Sequence, residues 1–296
     1  MPVITLLTDF GTHDAYVAIM KGVILKINPR ANIVDITHWI DSQDVQQAAY
    51  AIASSFRFFP SETVHVVVVD PGVGSCRAVV ALRLEEQTFL APDNGVLTPL
   101  LDEQPIEKIV KVENTDYFLN PVSRTFHGRD VFAPVGAHLS LGLPLDRLGA
   151  STERGALVRL DLVQPRLENG GRLSGTVIDV DRFGNLITNI CWPFVKRHYP
   201  AADHNNLRFA IGGHRLNCVS PTYSSVMPGK PLVLVGSRGF FEISVNQGNA
   251  SRFFAARRGT SIFARELPRG PAARAWPGSG SGPCSGCPIP MRRSWR

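Results

Sequence analysis

The sequence predicts an α/β fold in which an N-terminal, mainly parallel sheet is sandwiched by helices and a smaller, C-terminal β-barrel-like domain follows. In the first half, continuous apolar strand segments alternate with segments of helical periodicity, which is typical of a parallel sheet covered on both faces. After about residue 160, short strand segments follow one another with glycine, asparagine and proline between them, as in an antiparallel barrel or sandwich. With 296 residues, 44% of them hydrophobic, the chain is long enough for two domains that each bury a core.

The first half is predicted to begin with the strand Val3–Thr8, an apolar run that ends at a polar cluster. A helix is expected from Asp14 onward, because apolar residues recur every three or four positions until Asn28 and Pro29 stop it. The remaining elements predicted there are strands over 33–36 and 63–69, helices over 44–56 and 130–141, and a hairpin of 78–84 with 88–90.

The second half is predicted to hold six short strands and little helix. These strands cover residues 175–180, 186–190, 207–211, 231–236, 241–245 and 261–264. We therefore divide the chain into an α/β domain (1–160), a β domain (161–266) and a tail (267–296). In the tail, 11 of 30 residues are proline or glycine and apolar residues are sparse, which predicts disorder.

The net charge of +6 is concentrated in that tail. The tail carries five arginines and no acid, so five of the six excess positive charges lie there and one remains for residues 1–266. A body with so little basic excess is not expected to follow a phosphate backbone, so nucleic acid is not a predicted partner. An alternative in which the arginine-rich tail tethers the protein to nucleic acid or an acidic surface stays open.

Apolar runs in this chain are far shorter than the roughly 20 residues needed to cross a bilayer, and no basic segment precedes a long apolar stretch at the N-terminus. The scattered Cys76, Cys191 and Cys218 indicate free thiols in a reducing compartment. These observations predict a cytoplasmic protein without a membrane span. Cys284 and Cys287 are two ligands short of a tetrahedral zinc site, so no metal is predicted.

Three polar clusters follow predicted strands of the first domain, at residues 8–11 (TDFG), 70–74 (DPGVG) and 91–95 (APDNG). Ligands of open parallel sheets bind beyond the carboxyl ends of the strands, so a ligand site is expected there. Asp9 can accept hydrogen bonds from both hydroxyls of a ribose, or it can close a turn or cap the next helix. Asp70 has the same two interpretations, because Asp-Pro-Gly turns are common without any chemistry.

Two further segments have a functional and a structural interpretation. His127 precedes a predicted helix beside a glycine and can approach a ligand, or it is structural, with Asp130 as helix N-cap and Arg129 as its surface partner. Residues 181–185 (DRFGN) offer a ring and an amide for a flat base, or they form a hairpin turn. Residues 237–239 (SRG) can likewise be only a tight turn. Phosphate-binding glycine loops, a nucleophile elbow and a zinc-helix motif are absent from the sequence.

Taken together, these motifs resemble the S-adenosyl-L-methionine (SAM) hydroxide adenosyltransferase family, which is related to the SAM-dependent fluorinase and chlorinase. The similarity covers roughly residues 3–265. It is carried by LTDFG (7–11), Tyr16 with MKG (20–22), VDPGVG (69–74), APDNG (91–95), FHGRD (126–130), DRFGNLITNI (181–190) and the segment 237–246.

The resemblance implies an enzyme that hydrolyses SAM to adenosine and L-methionine without a cofactor. It also implies a homotrimer in which the α/β domain of one subunit and the β domain of the next enclose SAM. The substrate-binding residues implied by the family pattern are Asp9 for the ribose, Phe183 and Asn185 for the adenosyl region, and Asp181, Ser237 and Arg238 for the methionine ammonium and carboxylate.

The family pattern further implies a catalytic set of Asp70, Arg77 and His127. The sulfonium is already a good leaving group, so the enzyme must deliver an activated water in line with the C5′–S bond. In this interpretation His127 and Asp70 accept hydrogen bonds or a proton from water, while Arg77 fixes the carboxylate and stabilises hydroxide character.

Two alternatives accompany this hypothesis. A SAM-dependent halogenase needs a dry pocket of hydroxyl and backbone donors, whereas Asp70 would repel a halide and Val73 and Gly128 offer no hydroxyl. The connection over 84–88 also lacks the long insertion that marks the fluorinase. A non-catalytic SAM- or adenosine-binding protein is the other alternative, and the intact catalytic set argues against it.

Overall fold

A computed structural model describes residues 2–102 and 106–267 of the chain. The predicted disorder of the tail and the pair of Cys284 and Cys287 fall on residues 268–296, outside that description. No helix within the described ranges is long and apolar enough to cross a membrane.

Over its described residues, 2–102 and 106–160, the first domain is built from six strands and four α-helices. In chain order they are β1 (Val3–Thr8), α1 (Tyr16–Ile27), β2 (Asn32–Thr37), α2 (Val45–Ser55), β3 (Val64–Val68), β4 (Val79–Leu84), β5 (Gln87–Pro92), α3 (Thr98–Leu101), β6 (Ile106–Lys111) and α4 (Ala133–Ser140), which continues a π-helical turn over Gly128–Phe132.

The strands form one sheet in the order β2-β1-β3-β5-β4-β6. The first four are mutually parallel, and β4 runs antiparallel to both of its neighbours. The predicted, mainly parallel sheet is therefore confirmed, including the hairpin of β4 and β5. Edge strand β6 was not predicted, because apolar and charged residues mix in its sequence, IEKIVK, and leave no continuous apolar run.

Helices cover both faces of this sheet. Helix α1 buries Val17, Met20 and Ile24 in a core that it shares with α4, and α2 buries Ala48 and Ile52 in the core on the opposite face. The strands between the two layers are apolar on both sides, which is why their sequences read as continuous rather than alternating apolar runs.

The second domain contains eight strands and two short helices. They are β7 (Arg166–Glu168), β8 (Arg172–Val180), β9 (Leu186–Cys191), α5 (Trp192–His198), β10 (Leu207–Ile211), β11 (His214–Asn217), β12 (Pro231–Val235), β13 (Phe240–Val245), α6 (Ala250–Phe254) and β14 (Ser261–Glu266). The short helices were not predicted, because elements of five and seven residues leave little periodicity to detect.

The eight strands form an antiparallel sheet in the order β11-β10-β14-β8-β9-β13-β12, with β7 added to β8. The end strands β11 and β12 come into contact, so the sheet is nearly a closed barrel, as predicted. One row of paired residues crosses four strands, in the order Asp179, Ile187, Glu242 and Leu234. Side chains paired in this way point to the same face of a sheet, so the two acids of this row share a face.

Arg258 links the two domains through ion pairs. Arg258 lies 2.5 Å from Asp44 at the start of α2 and 3.4 Å from Asp41 in the preceding loop. These contacts attach the barrel near the carboxyl-end loops of the parallel sheet.

A fully buried histidine lies in the centre of the parallel sheet. The His65 Nδ1 atom lies 2.7 Å from the Thr5 hydroxyl, and Nε2 lies 3.0 Å from Oε1 of Gln87. Since that amide oxygen only accepts, Nε2 donates and Nδ1 accepts from the hydroxyl, which satisfies the neutral ring. Burial lowers the pKa of His65 to about 4.

The free energy of unfolding should therefore fall on acidification between pH 6.5 and about 4. The unfolded histidine takes up a proton near its ordinary value, whereas the folded one resists it, so stability present at neutral pH is lost, by about 3 kcal/mol. Urea unfolding at several pH values measures this loss. In a His65→Phe variant the same pH range should show a shallower slope, and an unchanged slope would contradict the assignment.

Candidate active site

The first group of predicted site residues lies where β3 ends. Asp70 follows this strand by two residues, and its Oδ2 atom accepts a hydrogen bond from Nη2 of Arg77 at 2.5 Å. Both side chains are buried, with exposed fractions of 4% and 8%. The intervening loop turns back through Gly74, whose φ is +75° and where a Cβ atom would lie 2.2 Å from the Arg124 carbonyl oxygen. Only glycine fits this turn, which returns the guanidinium to the carboxylate.

His127 joins this pair, so the structure brings the three predicted catalytic residues together. Its Nδ1 atom lies 3.4 Å from Nη2 of Arg77. A guanidinium only donates hydrogen bonds, which makes Nδ1 the acceptor and places the proton of the neutral ring on Nε2. Arg77 therefore contacts both the carboxylate and the imidazole.

Burial shifts both titratable partners of Arg77 toward their neutral forms. It raises the pKa of Asp70 above its ordinary value, although the Arg77 charge opposes this shift. It lowers the pKa of His127, and the nearby Arg77 charge lowers it further. His127 is thus uncharged at neutral pH and able to accept a proton.

Two atoms of this group are buried without a hydrogen-bond partner in the described protein, namely Oδ1 of Asp70 and Nε of Arg77. Unpaired buried polar atoms are costly in a folded protein and are often kept for function. The carboxylate oxygen therefore has an unused capacity to accept a hydrogen bond.

Asp70 and His127 line a cleft of about 630 Å³ in the first domain together with Asp9, and Arg77 lies behind them, outside the lining. Asp9 follows β1, and its Oδ2 atom accepts a hydrogen bond from the Gln43 backbone at 2.8 Å. This contact anchors the Asp9 carboxylate at the cleft, so the turn-closing and ligand-binding interpretations are compatible.

Aromatic side chains form one wall of this first cleft. The rings of Phe10, Tyr16 and Phe126 pack with centroid separations of 5.1–6.0 Å. Trp39 lies close to this wall, because the carbonyl of the preceding residue, His38, accepts a hydrogen bond from the Gly11 backbone. Trp39 is 71% exposed. Sequence reasoning did not assign any of these four rings a role in the site.

The structural interpretation of the His127 segment, with Asp130 as helix N-cap and Arg129 as its partner, is wrong for the cap and correct for the pair. Asp130 is buried inside the π-helical turn rather than at its N-cap, which is His127. Its carboxylate pairs with Arg129 at 2.6 Å and accepts from the Ser123 backbone at 2.8 Å. Asp130 therefore fixes the loop that precedes His127.

The second group of predicted residues lines a larger cleft of about 920 Å³ in the second domain. The structure brings together there Asp181, Phe183, Asn185, Ser237 and Arg238. They lie on the turns that join β8 to β9 and β12 to β13. Both segments are tight turns and also form parts of the cleft wall. The functional and the structural interpretation of each segment are therefore compatible.

The Asp181 carboxylate is engaged within its own turn. Its Oδ1 atom accepts from the backbone of Phe183 and of Asn185, and its Oδ2 atom accepts from the Asn185 amide at 2.8 Å. The turn leaves the Phe183 ring 75% exposed at the cleft. Asp181 therefore positions both of its neighbours.

Three residues of this second cleft region were missed by sequence reasoning. Asp179 pairs with Arg238 at 2.6 Å, and Glu242 accepts a hydrogen bond from the Tyr223 hydroxyl at 2.7 Å. A sequence signal existed for Glu242, since it is an acid within the apolar strand FFEISV. No local pattern marks Asp179 as the partner of an arginine 59 positions away.

The two clefts have no lining residue in common within the described ranges. One is lined by Asp70 and His127, which Arg77 contacts, and the other is lined by the group around Arg238. No cluster of three or more histidine, cysteine, aspartate or glutamate side chains in the described protein has the geometry to hold a metal ion.

Comparison with known proteins gives consistent matches over both domains. Residues 4–149 match the SAM hydroxide adenosyltransferase N-terminal domain, and residues 175–263 match the C-terminal domain. The chain is 36% identical to an (R)-S-adenosyl-L-methionine hydrolase of Salinispora arenicola, over 88% of this chain and 97% of that protein. It is 37% identical to the protein of the same name from Thermus thermophilus, over 86% and 96%.

More distant and structural relatives agree with these matches. A fluorinase of an Actinoplanes species is 29% identical over 88% of this chain and 96% of its own. A crystal structure of an uncharacterised conserved protein from Thermotoga maritima superposes with a TM-score of 0.82 at 38% identity, covering 89% of this chain and all of that one.

Replacing Arg77 with methionine should destabilise the protein by about 3 kcal/mol or more, because the buried Asp70 carboxylate would lose its counter-charge. The double variant Asp70→Asn with Arg77→Met should recover part of this loss, since no charge is left unpaired. Chemical denaturation of the single and double variants measures both. If the two single substitutions were additive in the double variant, the ion pair would not be coupled.

Proposed function

Because this chain belongs to the SAM hydroxide adenosyltransferase family, we propose that it hydrolyses SAM to adenosine and L-methionine. The observation that carries the proposal is the buried group of Asp70, Arg77 and His127, with an unpaired carboxylate oxygen, in a cleft lined by Asp9. Homologues named (R)-S-adenosyl-L-methionine hydrolase match over most of the chain.

The proposed reaction is an in-line displacement at the ribose 5′ carbon. A water oxygen forms a bond to C5′ while the C5′–S bond breaks. The electron pair of the broken bond stays on sulfur, so the sulfonium becomes a neutral thioether. The water loses one proton, so the products are adenosine and methionine. No acid is required for the leaving group, and the rate depends on how well water is aligned and deprotonated.

Each member of the group has a defined part in this step. The free Oδ1 atom of Asp70 accepts a hydrogen bond from the water and orients it, while the neutral His127 ring is available to accept a proton. Arg77 holds the Asp70 carboxylate in place and stabilises negative charge as hydroxide character develops. A buried location strengthens these electrostatic contacts.

Substrate binding is proposed to draw on both clefts. Asp9 would accept hydrogen bonds from the ribose hydroxyls, and Phe183 and Asn185 would contact the adenosyl region. Asp181, Ser237 and Arg238 would hold the methionine ammonium and carboxylate. Because the two clefts share no lining residue in the described chain, the proposed homotrimer, with SAM between the first domain of one subunit and the second domain of the next, would bring them together.

The names of the hydrolase relatives specify one stereoisomer of the substrate. The descriptor L already fixes the α-carbon, so (R) concerns the sulfonium, which carries three different substituents and is a stereocentre. Holding ribose and methionyl groups on separate surfaces fixes two of these substituents, and the third must then point to one side. We extend the (R) preference to this chain on that basis.

Incubation of the protein with separated sulfonium epimers of SAM in ¹⁸O-water, with and without fluoride or chloride, tests the proposal. We expect adenosine with ¹⁸O at its 5′ oxygen, formed faster from the (R) epimer and reduced by roughly 10²- to 10⁴-fold in an Asp70→Asn variant. Mass spectrometry distinguishes the products. A halogenated nucleoside would favour the halogenase alternative, and bound but unchanged SAM would favour a non-catalytic binding protein.

The pH dependence of kcat/KM should show an acid limb below pH 6.5 and no loss between pH 7 and 8. Protonation of His127 removes the proton acceptor, and the lowered pKa of this ring places the change below its ordinary value of 6.5. Protonation of Asp70, whose pKa is raised by burial, adds to the loss on acidification. In a His127→Gln variant the residual rate should keep only the Asp70 contribution to this limb, and an unchanged limb in the variant would exclude His127 as one of its sources.

A further inference from the structure

The second cleft contains a buried acid that the proposed contacts leave unused. The Glu242 side chain lines this cleft, and the residue is 6% exposed. Its Oε1 atom accepts hydrogen bonds from the Tyr223 hydroxyl at 2.7 Å and the Ser244 hydroxyl at 2.8 Å. Its Oε2 atom accepts none from the described part of the chain.

The Glu242 carboxylate is held in one position. Burial and the neighbouring Glu242 charge raise the pKa of Tyr223, so the phenol remains a proton donor to Oε1. The Oε2 atom lies against Gly236, where a Cβ atom would come within 2.6 Å of it. The free oxygen therefore stands at the turn that also carries Ser237 and Arg238.

The charges around this turn do not balance. Among the described residues that line the cleft, Asp181 and Glu242 are the acids and Arg238 is the only arginine or lysine. Asp179 takes the ion pair with that arginine, and Asp181 accepts three hydrogen bonds within its own turn. Neither Asp181 nor Glu242 has a positively charged partner in the described chain, and of the three acids only Glu242 keeps a carboxylate oxygen without a hydrogen bond there, so a bound cation would be stabilised beside it.

The spacing of these groups suits a compact zwitterion. Asp179 and Glu242 lie in one row of the barrel with Ile187 between them, so their backbones are two strand spacings, roughly 10 Å, apart. Arg238 pairs with Asp179 at 2.6 Å, at the β8 end of this interval. An amino acid carries its ammonium and carboxylate on one carbon. Here Arg238 and Glu242, whose charges are opposite to those of the two groups, both lie at the turn between β12 and β13.

We infer that Glu242 binds the α-ammonium of the methionyl group, as a second carboxylate beside Asp181, and is a specificity-determining residue for an intact amino-acid end on the substrate. This inference rests on the proposed function, because it takes SAM as the ligand of the second cleft. Tyr223 and Ser244 act as positioning residues that fix the Glu242 carboxylate.

The negative charge of the second cleft distinguishes the substrate from its products. SAM carries two positive charges and one negative charge, whereas adenosine is neutral and free methionine has no net charge. A cleft with excess negative charge favours the substrate over both products, so hydrolysis itself weakens binding of what remains. Ligands without the amino group lose the contact with Glu242 altogether.

Binding of three ligands to the wild-type protein and to Glu242→Gln tests the inference. The ligands are SAM, a SAM analogue with hydrogen in place of the α-amino group, and adenosine, measured by calorimetry with KM and kcat from the hydrolysis assay. Glu168→Gln removes the same charge from β7, outside the cleft, and is the matched control.

We expect Glu242→Gln to raise Kd and KM for SAM by roughly 10- to 100-fold, as for a lost hydrogen bond to a charged group. Kd for the desamino analogue and for adenosine should change by less than about 2-fold, and Glu168→Gln should resemble the wild type. Equal weakening of SAM and the desamino analogue would overturn the ammonium assignment. Weakened adenosine would instead place the adenine amino group on Glu242 and also overturn it.

Two further measurements keep the inference testable. If Glu242→Gln does not fold, Glu242→Asp retains the charge but withdraws it by one methylene, and it should lose the discrimination between SAM and its desamino analogue. Turnover by the wild type separates the two proposals. A protein that binds SAM without hydrolysing it contradicts the proposed function, whereas unchanged SAM affinity in a folded Glu242 variant contradicts only the inference.

Discussion

The buried ion pair between Asp70 and Arg77 is the constraint on which the first cleft depends. Removing two charges from water is costly, and the cost is offset only when the partners meet in good geometry. Strand β3 delivers the carboxylate at the end of the sheet, and a loop that requires glycine at position 74 returns the guanidinium to it. His127 then takes its orientation from the same guanidinium.

The second domain also fixes its polar side chains by hydrogen bonds and ion pairs within the protein. Its turns are held by their own side chains, as Asp181 shows, so the groups around the cleft do not have to be ordered when a ligand arrives. Rigid acids and one paired arginine give this surface a fixed pattern of charge. Preorganised charges of this kind favour ligands by charge as well as by shape, which the proposed recognition of the methionyl group requires.

Sequence patterns were sufficient for the fold class and for most strands, because buried parallel strands are continuous apolar runs and β1 in particular is recovered over Val3–Thr8. The helix that begins at Gly128 starts as a π-helical turn, which has no distinctive sequence period. Positions along the chain singled out Asp9, Asp70, His127 and the segments 181–185 and 237–239 as candidates, whereas their proposed roles, and Arg77 altogether, came from the resemblance of motifs. Asp179 and the contact of Glu242 with Tyr223 could not be predicted, because tertiary packing brings together residues that are 59 and 19 positions apart in sequence.

The separation of the two clefts has an evolutionary consequence. Residues proposed to carry out the bond-breaking step lie on one domain, and those proposed to recognise the amino-acid end lie on the other. Substitutions around Asp70 can therefore explore a new nucleophile while ligand recognition on the barrel is inherited unchanged. That fluorinases and hydrolases both match nearly the full length of this chain is what such modular divergence would produce.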